Sequence, residues 1–269
     1  SNASPNTSTE TRSDEQQSSP QQPPSGSSER TSWWPRDPVS ALDGDAEPPP
    51  DFLKRSDGGA AFYRGRVNGI IGPSESGKTW VALETVRQAV EDGEHVTIVD
   101  FEDTHRGIVG RLTALGMDLD ALRDHVAYIG PDEPLSTILG TGSDFREHLD
   151  TWQPALIILD GVNAAMTIHG YDLVSNKDAT AFAQGVMRPM AATGAAVVYI
   201  DHVPKSKEND SAGGIGAQAK RAMTTGCCLR VDVVKAFGKG QDGLLHAYVD
   251  KDRQGDVRGI SAPSRGSHW

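Results

Sequence analysis

The hydrophobic positions of this chain fall into short, almost unbroken apolar runs separated by longer stretches with helical spacing, and the two kinds alternate from about residue 51 onward. Candidate strands occupy 66–71, 95–101, 125–129, 155–159 and 195–200, whereas helical spacing occupies 78–91, 104–115, 143–149 and 178–193. A run such as Leu156-Ile157-Ile158-Leu159 has no polar side, so both of its faces must be covered. The pattern therefore predicts an α/β fold: a mostly parallel sheet flanked by helices. After Gly226 the period changes. Two strand-like runs, 227–237 and 244–251, are joined by Gly238-Lys239-Gly240-Gln241-Asp242-Gly243, which predicts a C-terminal antiparallel hairpin. No internal repeat is visible.

Composition sharpens the boundaries. Residues 1–50 carry eight Asp/Glu against three Lys/Arg and are rich in Ser, Pro, Gln and Thr, so they bury too little apolar surface to offset their ordering entropy. They are expected to form a disordered tail, with Ser1-Asn2-Ala3 read as an expression remnant. Trp33-Trp34-Pro35 interrupts it, either as an anchor for a partner or as a pair that packs back on its own domain. One domain is expected over 51–262, and 263–269 is expected to be a flexible terminus. No apolar run approaches the roughly 20 residues of a membrane span. The adjacent Cys227 and Cys228 lie inside an apolar stretch, which fits buried reduced thiols; together these features read as a cytoplasmic protein without a membrane partner. The net charge of −11 argues against a surface that coats nucleic acid as a whole, although it leaves room for a local basic channel.

The chemistry concentrates between the first strand and the first helix. Gly72-Pro73-Ser74-Glu75-Ser76-Gly77-Lys78-Thr79 fits GxxxxGK[ST] in full and is followed by Trp80. In such a P-loop the glycines let backbone N–H groups turn inward around phosphate oxygens and the helix aims its positive end at the same anion. Lys78 then reaches the β/γ-phosphates and Thr79 can hold Mg²⁺, so the expected ligands are ATP and Mg²⁺. The magnesium shell needs an acid across the site, and Asp160, at the end of the apolar run, supplies it. The strand after the P-loop helix ends in Asp100-Phe101-Glu102-Asp103, where a carboxylate could polarise the attacking water. Asp100, Glu102 and Asp103 all qualify, and N-capping before Thr104 is a competing use for Asp103. Asp201-His202 ends the fifth strand, where His202 could sense the γ-phosphate.

The order of these motifs resembles the RecA-like ATPases, and within them the RepA-type hexameric helicases and the related "AAA family ATPase" proteins of actinobacterial plasmids and phages. The resemblance runs from about Phe62 to Arg258. It rests on GRVNGIIGPSESGKTW, VDFED followed by RLTALG, LIILDGV, GAAVVYIDHVPK, GGIGAQAK and KDRQG. It implies a RecA-like core, selects Glu102 as the water-activating residue and makes His202 a phosphate sensor. KDRQG is similar to the KxRxG finger motif of DnaB-type helicases, which implies that Lys251 and Arg253 reach into the neighbouring subunit's site in a ring such as a hexamer. Gly213-Gly214-Ile215-Gly216 corresponds to the mobile second loop that contacts single-stranded DNA, although this loop mixes Lys205 and Lys207 with Glu208 and Asp210 and has no aromatic residue. The implied activity is Mg²⁺-dependent ATP hydrolysis by a helicase or DNA-associated motor in plasmid or phage replication. The alternative is a nucleotide-dependent scaffold or regulator that binds a primase or replication protein.

Overall fold

The computed structural model of the 269-residue chain describes residues 33, 35–42, 44, 46–135, 143–203, 221–237 and 240–261. Trp34, most of the expected tail, the GGIG loop with Lys205 and Lys207, Gly238-Lys239 and the 263–269 terminus lie outside them. The chain divides into two units, 1–46 and 47–269. In the first, a short 3-10 turn spans Val39–Leu42, begun by Asp37 Oδ1 accepting from the Val39 N–H at 3.0 Å, and Trp33 is exposed.

The second unit is built on a seven-stranded sheet: β1 (Val67–Gly72), β2 (Val96–Asp100), β3 (Val126–Ile129), β4 (Leu156–Asp160), β5 (Ala196–His202), β6 (Cys227–Lys235) and β7 (Leu244–Asp252). Their order is β3-β2-β4-β5-β1-β6-β7, parallel throughout except for the antiparallel β6–β7 hairpin. The helices are α1 (Lys78–Glu91), α2 (His105–Ala114), α3 (Leu119–His125), α4 (Asp144–Trp152), α5 (Val162–Ile168), α6 (Asn176–Phe182), α7 (Arg188–Ala191) and α8 (Asp256–Gly259). The predicted α/β class, parallel sheet and terminal hairpin are what the structure has.

Two separate cores explain the unbroken apolar strands. On β4, Leu156 and Ile158 face the core shared with α1 and α2, while Ile157 and Leu159 face the core shared with α5, α6 and α7. β5 alternates in the same way, with Val198 on one side and Val197 on the other. Helices on both faces leave these strands no wet side, and none needs polar alternation.

Three details differ from expectation. The helix predicted over 178–193 is instead α6, a π-helical turn (Ala183–Met187) and α7, because Pro189 has no N–H to continue the i→i−4 ladder. α3 and α5 were not anticipated. α3 is capped by Asp118, whose side chain accepts from the Asp120 and Ala121 N–H groups at 2.9 and 2.8 Å, and α5 begins directly after Gly161, where Asp-Gly reads as a turn. The cap of α2 is Thr104, accepting from Gly107 N–H at 3.1 Å, rather than Asp103. No helix among the described residues is long and apolar enough to cross a membrane. Cys227 and Cys228 are buried and unbridged, and burial pushes both thiols up, Cys228 to about 12.

Candidate nucleotide site

The carboxyl edge of the sheet gathers the chemistry. Register pairs Gly72 with His202, Asp100 with Asp160, and Asp160 with Ile200, so β1, β2, β4 and β5 all end at one level beside the P-loop. That is the edge at which ligands sit in open α/β sheets. The loop turns on Glu75 at φ 59° and Gly77 at φ 87° before α1 begins at Lys78. The positive φ at Gly77 is one that only glycine adopts freely, and it delivers consecutive N–H groups to the first turn of the helix.

Around this loop lies a cleft of about 270 Å³, lined among others by Glu75 to Trp80, Glu102, Asp160 and His202. Lys78 is only 4% exposed; its ammonium donates to the Pro73 carbonyl at 2.6 Å and lies 3.2 Å from His202 Nδ1. Burial lowers its pKa against the opposing pull of Asp160, Glu102 and Asp201. Ser74 Oγ is 3.5 Å from the same His202 nitrogen, and His202 Nε2 is 3.3 Å from Glu102 Oε2. His202 thus links the P-loop lysine to the carboxylate opposite.

The three competing acids have separate surroundings. Asp100 is 2% exposed and accepts from the Glu102 and Asp103 N–H groups at 2.9 and 3.0 Å and from the Tyr128 hydroxyl at 3.3 Å, so it is occupied in shaping the turn. Asp103 pairs with Arg111 of α2, which with the Thr104 N–H holds its carboxyl below the usual range. Glu102 reaches over the cleft. Its carboxylate occupies the space a side chain on Gly161 would fill, since a Cβ there would lie 2.3 Å from Glu102 Oε1.

Thr79 Oγ1 donates to Asp160 Oδ2 at 3.0 Å, which places two hard oxygen ligands together, as Mg²⁺ requires. The Ser76 hydroxyl is buried in the loop with no hydrogen-bond partner among the described residues, a polar atom suited to a phosphate. The residues present fit both groups. Asp160 is 5% exposed, and burial first, then the nearby Glu102 and Asp100, raise its pKa from the ordinary 3.8 to about 6.

That shift carries a sign. The folded value lies above the unfolded one, so ionising Asp160 costs the fold stability: the penalty grows as pH rises from about 4 to about 6 and is complete above that, at most roughly 3 kcal/mol for two units. Asp160→Asn is therefore expected to raise the melting temperature of the ligand-free protein at pH 7.5 and to narrow the difference between the variant and the native chain at pH 4.5, while removing most turnover. Thermal unfolding at the two pH values checks it, and a variant less stable at pH 7.5 would contradict the burial cost.

Lys251 and Arg253 are not at this edge. Lys251 pairs with Cys228, which pairs with Gly69, and the Arg253 N–H donates to Gly226 O at 3.2 Å, whose own N–H donates to Val67 O. Both residues therefore belong to the opposite end of the sheet from their own P-loop. Lys251 Nζ donates to the Arg221 and Thr224 carbonyls, each at 2.8 Å, whereas Arg253 is exposed. Sequence reasoning passed over Arg111, Gly161 and Phe237, all of which border the cleft or its acids.

Comparison with known proteins supports the fold. A 65-residue stretch is 40% identical to Protein RecA of Streptococcus mutans, a match covering 24% of this chain and 16% of that relative's length. The KaiC-like protein of Pyrococcus horikoshii OT3 shares the fold, with a TM-score of 0.54 at 13% identity over 77% of this chain and 88% of that one. A family model described as AAA domain matches residues 34–208, more than half of the sequence, and the chain accordingly belongs to that family as a RecA-like P-loop ATPase.

Proposed function

We propose that the protein is a Mg²⁺-dependent ATP hydrolase that works as a head-to-tail oligomer, in which Lys251 and Arg253 of one copy complete the site of the next. The observation that supports this reading best is the division of charges between the two edges of the sheet. Lys78, Thr79, Glu102, Asp160 and His202 meet in one cleft, while the two basic residues of KDRQG stand at the other end. A monomer so arranged cannot bring those cations to its own phosphates.

Each residue in the cleft then has a task. Lys78 and the backbone N–H groups of Ser74 to Trp80 bind the phosphates, with Ser74 Oγ and the Lys78 ammonium both close to His202 Nδ1. Mg²⁺, when bound by Thr79 and Asp160, supplies charge neutralisation at phosphate oxygens. Glu102 accepts the proton of the attacking water, and His202, within reach of both Glu102 and Lys78, reads whether the terminal phosphate is present. This reading extends to a RepA-type helicase or DNA-associated motor of plasmid or phage replication, by the resemblance of GRVNGIIGPSESGKTW, LIILDGV and KDRQG.

The test is ATP turnover with Mg²⁺, with EDTA, and with or without single-stranded DNA. The expected result is metal-dependent hydrolysis stimulated by the DNA. Metal-dependent hydrolysis that DNA leaves unchanged would favour the scaffold or regulator that assembles with a primase or replication protein, and the Lys251 ammonium, already donating to two carbonyls of its own chain, is the feature that suits that second reading.

A further inference from the structure

The two strands that flank β1 give the cleft two unlike ends. On the β4–β5 side the wall is Glu102, Asp160 and His202. On the β6–β7 side it is the aromatic ring of Phe237. Phe237, just beyond the end of β6, lines the cleft while remaining 40% exposed, so part of its ring is open to a ligand. Its ring lies against the P-loop: a Cβ on Gly77 would lie 3.2 Å from Phe237 Cε2 and 3.2 Å from Leu245 Cδ2. The ring also lies against Gly243, where a Cβ would be 2.4 Å from Phe237 Cδ1. Two glycines thus leave room for the phenyl group, and Trp80 borders the same cleft.

A nucleoside triphosphate has the same polarity as this cleft, with its charge at the γ end and its flat apolar surface at the base. Lys78, Asp160 and His202 suit the phosphate end, and Phe237, beside Gly77 at the hairpin, offers an aromatic ring in the same cleft for the base end. We propose that Phe237 is the platform on which the nucleobase stacks, so that the β6–β7 hairpin forms the base subsite. The inference rests on the P-loop cleft being a nucleotide site. Stacking uses the π-face that every base has, so the platform contributes affinity for the nucleoside without reading base edges.

The experiment separates base from phosphate. Binding of ADP and of inorganic tripolyphosphate, each with Mg²⁺, is measured by calorimetry for the native chain, Phe237→Ala, Phe237→Leu and Phe237→Trp. Phe237→Ala and Phe237→Leu are expected to weaken ADP by roughly 10-fold, the order of one aromatic stack, and to leave tripolyphosphate unchanged, while Phe237→Trp retains ADP binding. The leucine variant keeps apolar bulk against Gly77, and an unchanged melting temperature shows that the hairpin is intact. Equal ADP affinity in the native chain and Phe237→Ala would overturn the platform and leave the nucleotide site standing. Equal loss for both ligands would overturn it too, by making Phe237 a support of the P-loop. If the native chain binds neither ligand, the nucleotide-site reading falls and the platform falls with it.

Discussion

Glu102→Gln is expected to bind ATP as tightly as the native chain and to hydrolyse it roughly 10²-fold or more slowly, the order of magnitude lost when a positioned general base is removed. What singles out Glu102 is what it does not do. Its neighbour Asp100 is committed to two N–H groups and the Tyr128 hydroxyl, and Asp103 to Arg111, whereas Glu102 faces the cleft with His202 as its side-chain partner. Glutamine keeps the shape and a carbonyl toward His202 but cannot take up a proton. Asp100→Asn is expected to act differently, loosening the turn that carries Glu102 and lowering stability. Gly161→Ala pushes a methyl group into the Glu102 carboxylate and should give a milder loss of turnover with binding retained. Equilibrium nucleotide binding and single-turnover hydrolysis, measured side by side, decide the matter. Loss of binding in Glu102→Gln would remove its assigned role, and a nucleotide-bound, inactive Asp100→Asn would move that role two residues back.

The difficulty of choosing among these acids from the chain alone has a physical reason. All three stand at or just beyond the end of one buried strand at the ligand edge, and what separates them is partners brought by tertiary structure: Tyr128 from β3 and Arg111 from α2. The P-loop, by contrast, is local. Its glycines, lysine and threonine act within eight consecutive residues between a strand and a helix, so its position could be read directly. β4 was equally plain, because a strand covered on both faces must be apolar throughout and its terminal Asp160 stands out. Short helices were harder. α5 follows Asp160-Gly161, and the turn chemistry of that pair masks a seven-residue helix whose Ala165 and Met166 are buried. Phe237 reads as the end of an apolar strand; its place beside Gly77 depends on β6 pairing with β1 across some 160 residues of chain, which no window of sequence contains.

The largest effect is expected at Arg253, far from the P-loop of its own chain. A P-loop site alone leaves the charge developing on the transferred phosphoryl group under-compensated, and cationic donors supplied from a neighbour make hydrolysis depend on assembly. In the composite site we propose, Lys251 and Arg253, which stand at the end of the sheet remote from the cleft of their own copy, are the donors offered to another copy. Repeating that relation joins copies front to back and closes into a ring if the rotation permits. Of the two residues, Arg253 gives the cleaner test. Lys251 already binds the Arg221 and Thr224 carbonyls, so its removal would also disturb the chain segment leading into β6, whereas Arg253 is exposed. Arg253→Ala is expected to lose roughly 10³-fold in turnover while still binding ATP, the order found for an arginine finger. Mixing supplies the decisive measurement. Arg253→Ala protein keeps an intact P-loop, Lys78→Ala protein keeps an intact Arg253, and hybrid interfaces between them join one good half of each, so the mixture should regain part of the activity that neither variant has alone. A native chain that stays monomeric with ATP at high concentration and still hydrolyses it, together with a mixture that regains nothing, would sink the composite site and return Lys251 to its place as an intrachain tether and Arg253 to the solvent.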